Sequence, residues 1–199
     1  MSLLRGSAAR WLGYRLGLRA PDTQLTLAER DCLRRHAGGR HRLVEIGVMH
    51  GATTALLRAA MHPDGVVTGI DPHPNGRLGV SFERWIARRE VARHLRGRAV
   101  LLRQWSYQAS TTWRSPIDFL FVDGDHSREG LARDWTDWSP FVVPGGVAAL
   151  HDSRTVPWRP DLDSVAYTQE VILRDPRFRL LEEVDSLTML ERVREATDP

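Results

Sequence analysis

Five times between Arg42 and Leu150 the chain runs a short apolar stretch into a polar or acidic residue. The stretches are Arg42–Ile46, Val66–Asp71, Ala99–Arg103, Ile117–Val122 and Val147–Leu150, bounded by glycine, proline and polar residues. Runs of this length read as strands. Segments with helical spacing fall between them, and alternation of the two predicts a mostly parallel sheet with helices on both faces. Arg179–Glu183 and Leu187–Val193 add two more strands. The predicted fold is therefore α/β, a Rossmann-like, doubly wound, mostly parallel seven-stranded sheet. Helices are predicted from Leu27 to about His36, Ala52 to Met61, Phe82 to Leu95, Glu129 to Trp138 and Ser164 to Leu173, the last with Asp163 as N-cap. Thr26 and Glu29 form a capping box ahead of the first, with Leu25 placed as a staple, and Gly38-Gly39 stops it. Residues 194–199 are expected to fray.

Ligands of such sheets sit beyond the C-terminal ends of the strands. Glu45, Asp71, Ser106, Asp123, His126, His151 and Asp152 all fall there. The first of these ends reads Glu45-Ile46-Gly47-Val48-Met49-His50-Gly51, followed by Ala52-Thr53-Thr54 as a helix opening. Gly47 and Gly51 let a ligand approach the backbone closely. The spacing E-x-G-x-x-x-G lacks the middle glycine of a dinucleotide fingerprint. A carboxylate here repels a pyrophosphate and suits a cation, which points to S-adenosylmethionine (SAM) bound along Glu45, Gly47, Met49, Gly51 and Thr53. Asp71 ends the second strand, where an acidic residue accepts hydrogen bonds from ribose hydroxyls; the other reading is a turn residue before Pro72. Trp105 and Ser106 follow the third strand, where an adenine can stack on the indole or meet the hydroxyl. Trp105 serves equally as a core or substrate residue.

Composition narrows the chemistry. All 28 basic residues among the 199 are arginine, and there is no lysine. A lysine Schiff base and a P-loop lysine are excluded. Any general base is His, Asp, Glu or Tyr. Net charge is only +3, and no basic run interleaves with aromatics, so no nucleic-acid partner is expected. Cys32 is the only cysteine, which rules out an intrachain disulfide and fits a cytoplasmic protein. No apolar run is long enough for a transmembrane segment. Residues 1–40 read as an N-terminal helical arm or cap and 41–199 as the ligand-binding domain. Leu3, Leu4, Trp11, Leu12, Leu16 and Leu18 lie among arginines. They make an amphipathic arm that covers the ligand, joins a homo-oligomer, lies on a membrane surface or packs on its own domain.

Asp123 ends the fourth strand, where it also reads as a cofactor-binding residue; His151 and Asp152 end the fifth. Neighbouring strands lie about 4.8 Å apart, so the three side chains can converge on one ion. Two carboxylates favour Mg²⁺ or Mn²⁺, and His151 opens Fe²⁺ and Zn²⁺ as alternatives. His126, three residues past Asp123, faces a hydroxyl bound at such an ion and is the candidate base; the other reading of His126 and His151 alike is a turn residue or a hydrogen bond to a ligand from outside. Asp125 reads as a turn or cofactor-orienting residue.

Val122-Asp123-Gly124-Asp125-His126-Ser127, then Asp134, Trp138, Pro140, Pro144-Gly145-Gly146 and His151-Asp152-Ser153, resemble class I SAM-dependent methyltransferases. The branch resembled contains bacterial O-methyltransferases of sugars and macrolide sugars and cephalosporin-pathway relatives. The resemblance covers about Leu43 to Ser153. It extends to metal-dependent catechol-type O-methyltransferases, in which acidic or amide residues at the ends of strands four and five hold Mg²⁺. In that family a lysine three residues past the first ligand is the base; His126 stands there in this chain. The strand-five pair is His151-Asp152 rather than Asp-Asn or Glu-Asp. The resemblance implies methyl transfer from SAM to a hydroxyl of a small molecule or oligosaccharide, for example a methylated mannose polysaccharide. One or two of Trp105, Trp113, Trp135, Trp138 and Trp158 would stack on a sugar face or close over the cofactor. A phenol or catechol acceptor, and a SAM-binding protein without turnover, are the alternatives.

Overall fold

The computed structural model describes residues 7–76, 78–158 and 162–193. Leu3, Leu4 and the expected fraying of 194–199 lie outside the described residues. Seven strands form one sheet in the order β3-β2-β1-β4-β5-β7-β6: β1 Arg42–Ile46, β2 Val66–Ile70, β3 Arg98–Leu102, β4 Ile117–Val122, β5 Val142–Leu150, β6 Phe178–Val184 and β7 Leu187–Arg192. The first five run parallel, and β7 pairs antiparallel with both β5 and β6. The strand order reverses between β1 and β4, the place where such sheets open a crevice for ligands. Asp118 pins that junction from below: its carboxylate accepts the backbone N–H groups of His41 and Arg42 at 2.9 and 2.8 Å.

The central strands are apolar on both faces because both faces are covered. Every residue of β4 is buried. Phe119 and Phe121 meet Leu33, Leu43 and Leu57 on one side, under α2 (Leu27–Ala37) and α3 (Ala52–Ala60). Leu120 and Val122 meet Leu131, Trp135 and Trp138 on the other, under α6 (Arg128–Trp138). Trp135 and Trp138 are thus core residues. Trp113 stacks edge-on against Trp138, while Trp158 is exposed.

The capping box forms as expected, Thr26 Oγ1 accepting from Glu29 N and Glu29 Oε2 accepting from Thr26 N. The arm residues Ser7–Arg15 form α1, which packs on α4 (Phe82–Ala92). Tyr14 is buried and donates to Glu90 at 2.6 Å, and Trp11 meets Trp85 edge-on. Four local expectations differ. The fifth strand starts at Val142 rather than Val147, so Pro144–Gly146, expected to bound it, is a register irregularity inside β5. A seven-residue helix, α5 (Ser106–Thr112), follows β3. The last helix, α7, spans Asp163–Glu170, so Asp163 is its first residue and its cap is Leu162, without a side-chain bond. Ile172–Arg174 continues as a 3-10 turn. Among the described residues no helix is long and apolar enough to cross a membrane.

Candidate active site

Strand β1 delivers Glu45 to the crevice with its side chain on the α3 face. The carboxyl is fully buried. Thr54, on the first turn of α3, donates to Oε2, and Oε1 has no partner. Burial pushes this carboxyl well above the usual range; the Thr54 bond offsets this only in part, and the Asp123 and Asp71 carboxylates add to the rise. A cation placed against Oε1 would reverse each of these costs.

The turn after β1 holds itself open by backbone geometry. Gly47 has φ +86°, and a Cβ there would overlap the carbonyl of Asp123 on the neighbouring strand. Gly51 has φ +74°, with a Cβ falling 2.9 Å from Ala87 Cα. Met49 is left-handed at φ 46° without being glycine, a conformation that needs outside support. Asp71 gives it: Oδ2 accepts the N–H groups of Val48 and Met49 at 3.0 and 2.9 Å, and Oδ1 that of His73 at 2.7 Å. The His73 ring bonds the Met49 carbonyl at 2.9 Å. A carboxylate offers about four acceptor positions, and these backbone groups take three.

The cleft encloses about 720 Å³. Glu45, Gly47, Met49, Thr53, Asp71, Trp105, Ser106, Asp123 and His126 all line it. Gly51, His151 and Asp152 lie behind the wall. Ser106 donates to Asp134, a buried carboxyl of α6 pushed up to about 6, chiefly by burial. Trp105 is half exposed and stacks with Tyr107, whose other neighbour is the Arg133 guanidinium. Asp22, Thr23 and Gln24 reach the cleft from the N-terminal segment, which is held down by Asp22 N donating to His50 Nδ1 at 3.1 Å. Sequence reasoning missed Tyr107, Arg133 and these three; no local pattern marks them, because only the fold brings them near. Asp134 was visible as part of the motif, though without a role.

At the other end, Asp123, His126 and Asp152 bring one ligand atom each within 4.8 Å of one another. His126 Nε2 stands 3.6 Å from Asp152 Oδ2 and 4.0 Å from Asp123 Oδ1. Asp152 is left-handed at φ 52°. His151, the expected third ligand, is placed differently. Its Nδ1 donates to Asp123 Oδ1 at 2.8 Å and lies 3.1 Å from Asp152, and its Nε2 faces Glu29 at an ion-pair distance of 3.6 Å. Burial opposes charge on this ring, but the carboxylates of Asp123, Glu29 and Asp152 outweigh it and raise the ring to about 10. The three carboxylates thus favour the charged form of a ring that lies behind Asp123. Glu29, buried, also accepts from Ser186 N and Oγ at 2.9 and 2.7 Å; these bonds, with His151 and Thr26, overcome burial and hold it near 2. Its sequence signal was read only as a helix cap.

The crevice at the strand reversal thus brings together a glycine turn over a buried acid and a histidine beside paired carboxylates. Solved structures share the architecture. A protein from Corynebacterium glutamicum aligns with a TM-score of 0.68 at 18% identity, over 96% of this chain and 92% of that one. The O-methyltransferase TomG from Streptomyces achromogenes, involved in tomaymycin synthesis and solved with SAM, gives 0.63 at 16%, over 96% and 93%. An rRNA methylase from Streptococcus thermophilus gives 0.59 at 14%, over 87% and 100%. At such identities the likeness shows the fold, and the acceptor is a matter for the site. Residues 44–153, more than half of the chain, match the family model described as a methyltransferase domain. That span runs from the strand carrying Glu45 to the residue after Asp152, and the chain belongs to this family of methyltransferases, with the class I fold.

Proposed function

We propose that this protein transfers a methyl group from SAM to a hydroxyl of a sugar or glycosylated metabolite, such as a mannose-containing oligosaccharide. The observation that carries the reading is Glu45 Oε1, buried and unpartnered beside the glycine turn. A cationic ligand satisfies that oxygen, whereas a pyrophosphate would be repelled. The rest of the cleft fits the same molecule. Asp71 keeps an acceptor position for a ribose hydroxyl, and Trp105 and Ser106 flank the space for a base. SAM supplies an electrophilic methyl on a sulfonium, and the chain's task is to hold the acceptor oxygen in line with it.

The donor set of Asp123, Asp152 and His126 suits Mg²⁺ or Mn²⁺. Such an ion would acidify and orient an acceptor hydroxyl. Asp123 and Asp152 would hold it, with His151 locking Asp123 from behind. His126 lines the cleft and takes the acceptor's proton. The convergence of all three residues favours a second reading, in which His126 is itself a ligand. Asp22, Thr23, Gln24, Asp125, Glu129 and Arg133 add polar groups to the cleft lining, which suit the hydroxyls of the proposed acceptor. On this reading residues 1–40 cap the methyltransferase domain of 41–199, and the protein works in the cytoplasm.

The test is methyl transfer from labelled SAM to a panel of sugars, glycosides, phenols and catechols, with and without EDTA. Turnover on a sugar, lost on chelation, is expected. His126→Ala should lower kcat by roughly 10²–10⁴ while Mn²⁺ affinity stays unchanged. Loss of Mn²⁺ binding in that variant makes His126 a ligand. Turnover on catechols alone overturns the sugar acceptor, and SAM binding with no turnover on any acceptor overturns the enzyme.

A further inference from the structure

Away from the cleft, α2 and the edge strand β6 bring together three side chains with no part in the reaction above. Cys32 and His36 lie four residues apart on one face of α2. Glu182 meets them from β6. Its Oε2 is 3.6 Å from Cys32 Sγ and 3.0 Å from His36 Nε2, and one ligand atom from each residue lies within 4.8 Å of the others. None of the three lines the cleft.

We propose that Cys32, His36 and Glu182 form a zinc site that staples α2 to β6. The donors are a thiolate, an imidazole and a carboxylate, the mixture that Zn²⁺ accepts in tetrahedral geometry. With Zn–S about 2.3 Å and Zn–N or Zn–O about 2.0–2.2 Å, tetrahedral ligand atoms stand roughly 3.3–3.7 Å apart. The two contacts of Glu182 Oε2, at 3.6 and 3.0 Å, are close to those spacings, and the third pair lies within 4.8 Å. Glu182 is presented for the purpose. The register of β6 against β7 slips between Leu180 and Glu182, and a bulge re-aims the side chains that follow it. Arg35 holds the other carboxylate oxygen, Oε1, at 2.7 Å, the kind of outer bond that orients a ligating carboxylate. Burial keeps the Cys32 thiol protonated, raised to about 12, so zinc binding releases that proton to water as the Zn–S bond forms. The side chains of His36 and Glu182 are 23% and 35% exposed, which gives the ion an entry path and leaves the fourth position to water.

Cys32 is the only cysteine, so a thiolate-to-Co²⁺ absorption band reports this site alone. Co²⁺ added to the reduced full-length protein should produce the band, and Zn²⁺ should bleach it. Cys32→Ser should abolish it. His36→Gln and Glu182→Gln should each weaken Co²⁺ binding by at least about tenfold. Zn²⁺ should raise the unfolding midpoint of the wild type but not of Cys32→Ser. Absence of the band in wild-type protein that far-UV circular dichroism shows to be folded overturns the site. So does unchanged Co²⁺ affinity in both His36→Gln and Glu182→Gln.

Discussion

Asp134 shows how one side chain can be tuned by burial and then read out. Its carboxyl is pushed up to about 6 from an ordinary value of 3.8. The folded protein therefore holds this proton more tightly than the unfolded chain does. Stability should fall as pH rises through that window and level off above it. Asp134→Asn removes the charge while keeping an oxygen for the Ser106 hydroxyl. The variant should match wild type near pH 4 and exceed it at pH 7 by about 2–3 kcal/mol. Urea unfolding at the two pH values measures this, and an equal offset at both would show that the gain is not electrostatic. Glu29 has the opposite sign. Bonded to Ser186 and Thr26 and facing His151, it is held near 2, so its contribution is complete above about pH 4.5 and is lost as pH falls toward 2. Glu29→Ala strands His151 and Ser186 together and should cost about 3–5 kcal/mol at neutral pH.

Among the elements, the glycine turn after β1 joins the two halves of the cleft. The space that a Cβ at Gly47 would occupy holds the backbone of Asp123. Gly47→Ala must therefore displace the end of β4 as well as strain its own φ. It should destabilise the fold by at least about 2 kcal/mol and weaken SAM and Mn²⁺ binding together. Calorimetry with each ligand checks this; loss of one affinity alone would uncouple the two ends. This turn was legible in the sequence because glycine spacing is a local signal, as were the strands, whose apolar runs are short and sharply bounded. The α2 cap was legible for the same reason. Helix α5 was not. Five of its seven residues, two Ser, two Thr and a Tyr, are weaker helix formers than Ala or Gln, and only Ala109 is buried; packing against α6 supports the helix. The turn Pro144–Gly146 was legible as a break but not as a bulge, because pairing with β4 carries the strand through it. At the site, the sequence placed Asp123, His126, His151 and Asp152 at neighbouring strand ends. It could not say which histidine faces the cleft, since Glu29, which draws His151 backward, comes from a distant helix.

Across the whole molecule, the first helix on the sheet is tied to the last hairpin. Thr26 Oγ1 donates to Asp185 at 2.6 Å, Ser186 donates to Glu29, and Arg35 pairs with Glu182 at 2.7 Å. Glu29 in turn stands behind His151, and His151 behind Asp123. This chain of contacts joins residues far apart in the sequence. Pairs so widely separated form only once most of the domain has collapsed, so the surroundings of Asp123 depend on how the β6–β7 hairpin docks on α2. On the proposed reading, a substitution that loosens this hairpin acts at a distance: it leaves the methyl donor's turn untouched and disturbs the acceptor end through Glu29 and His151.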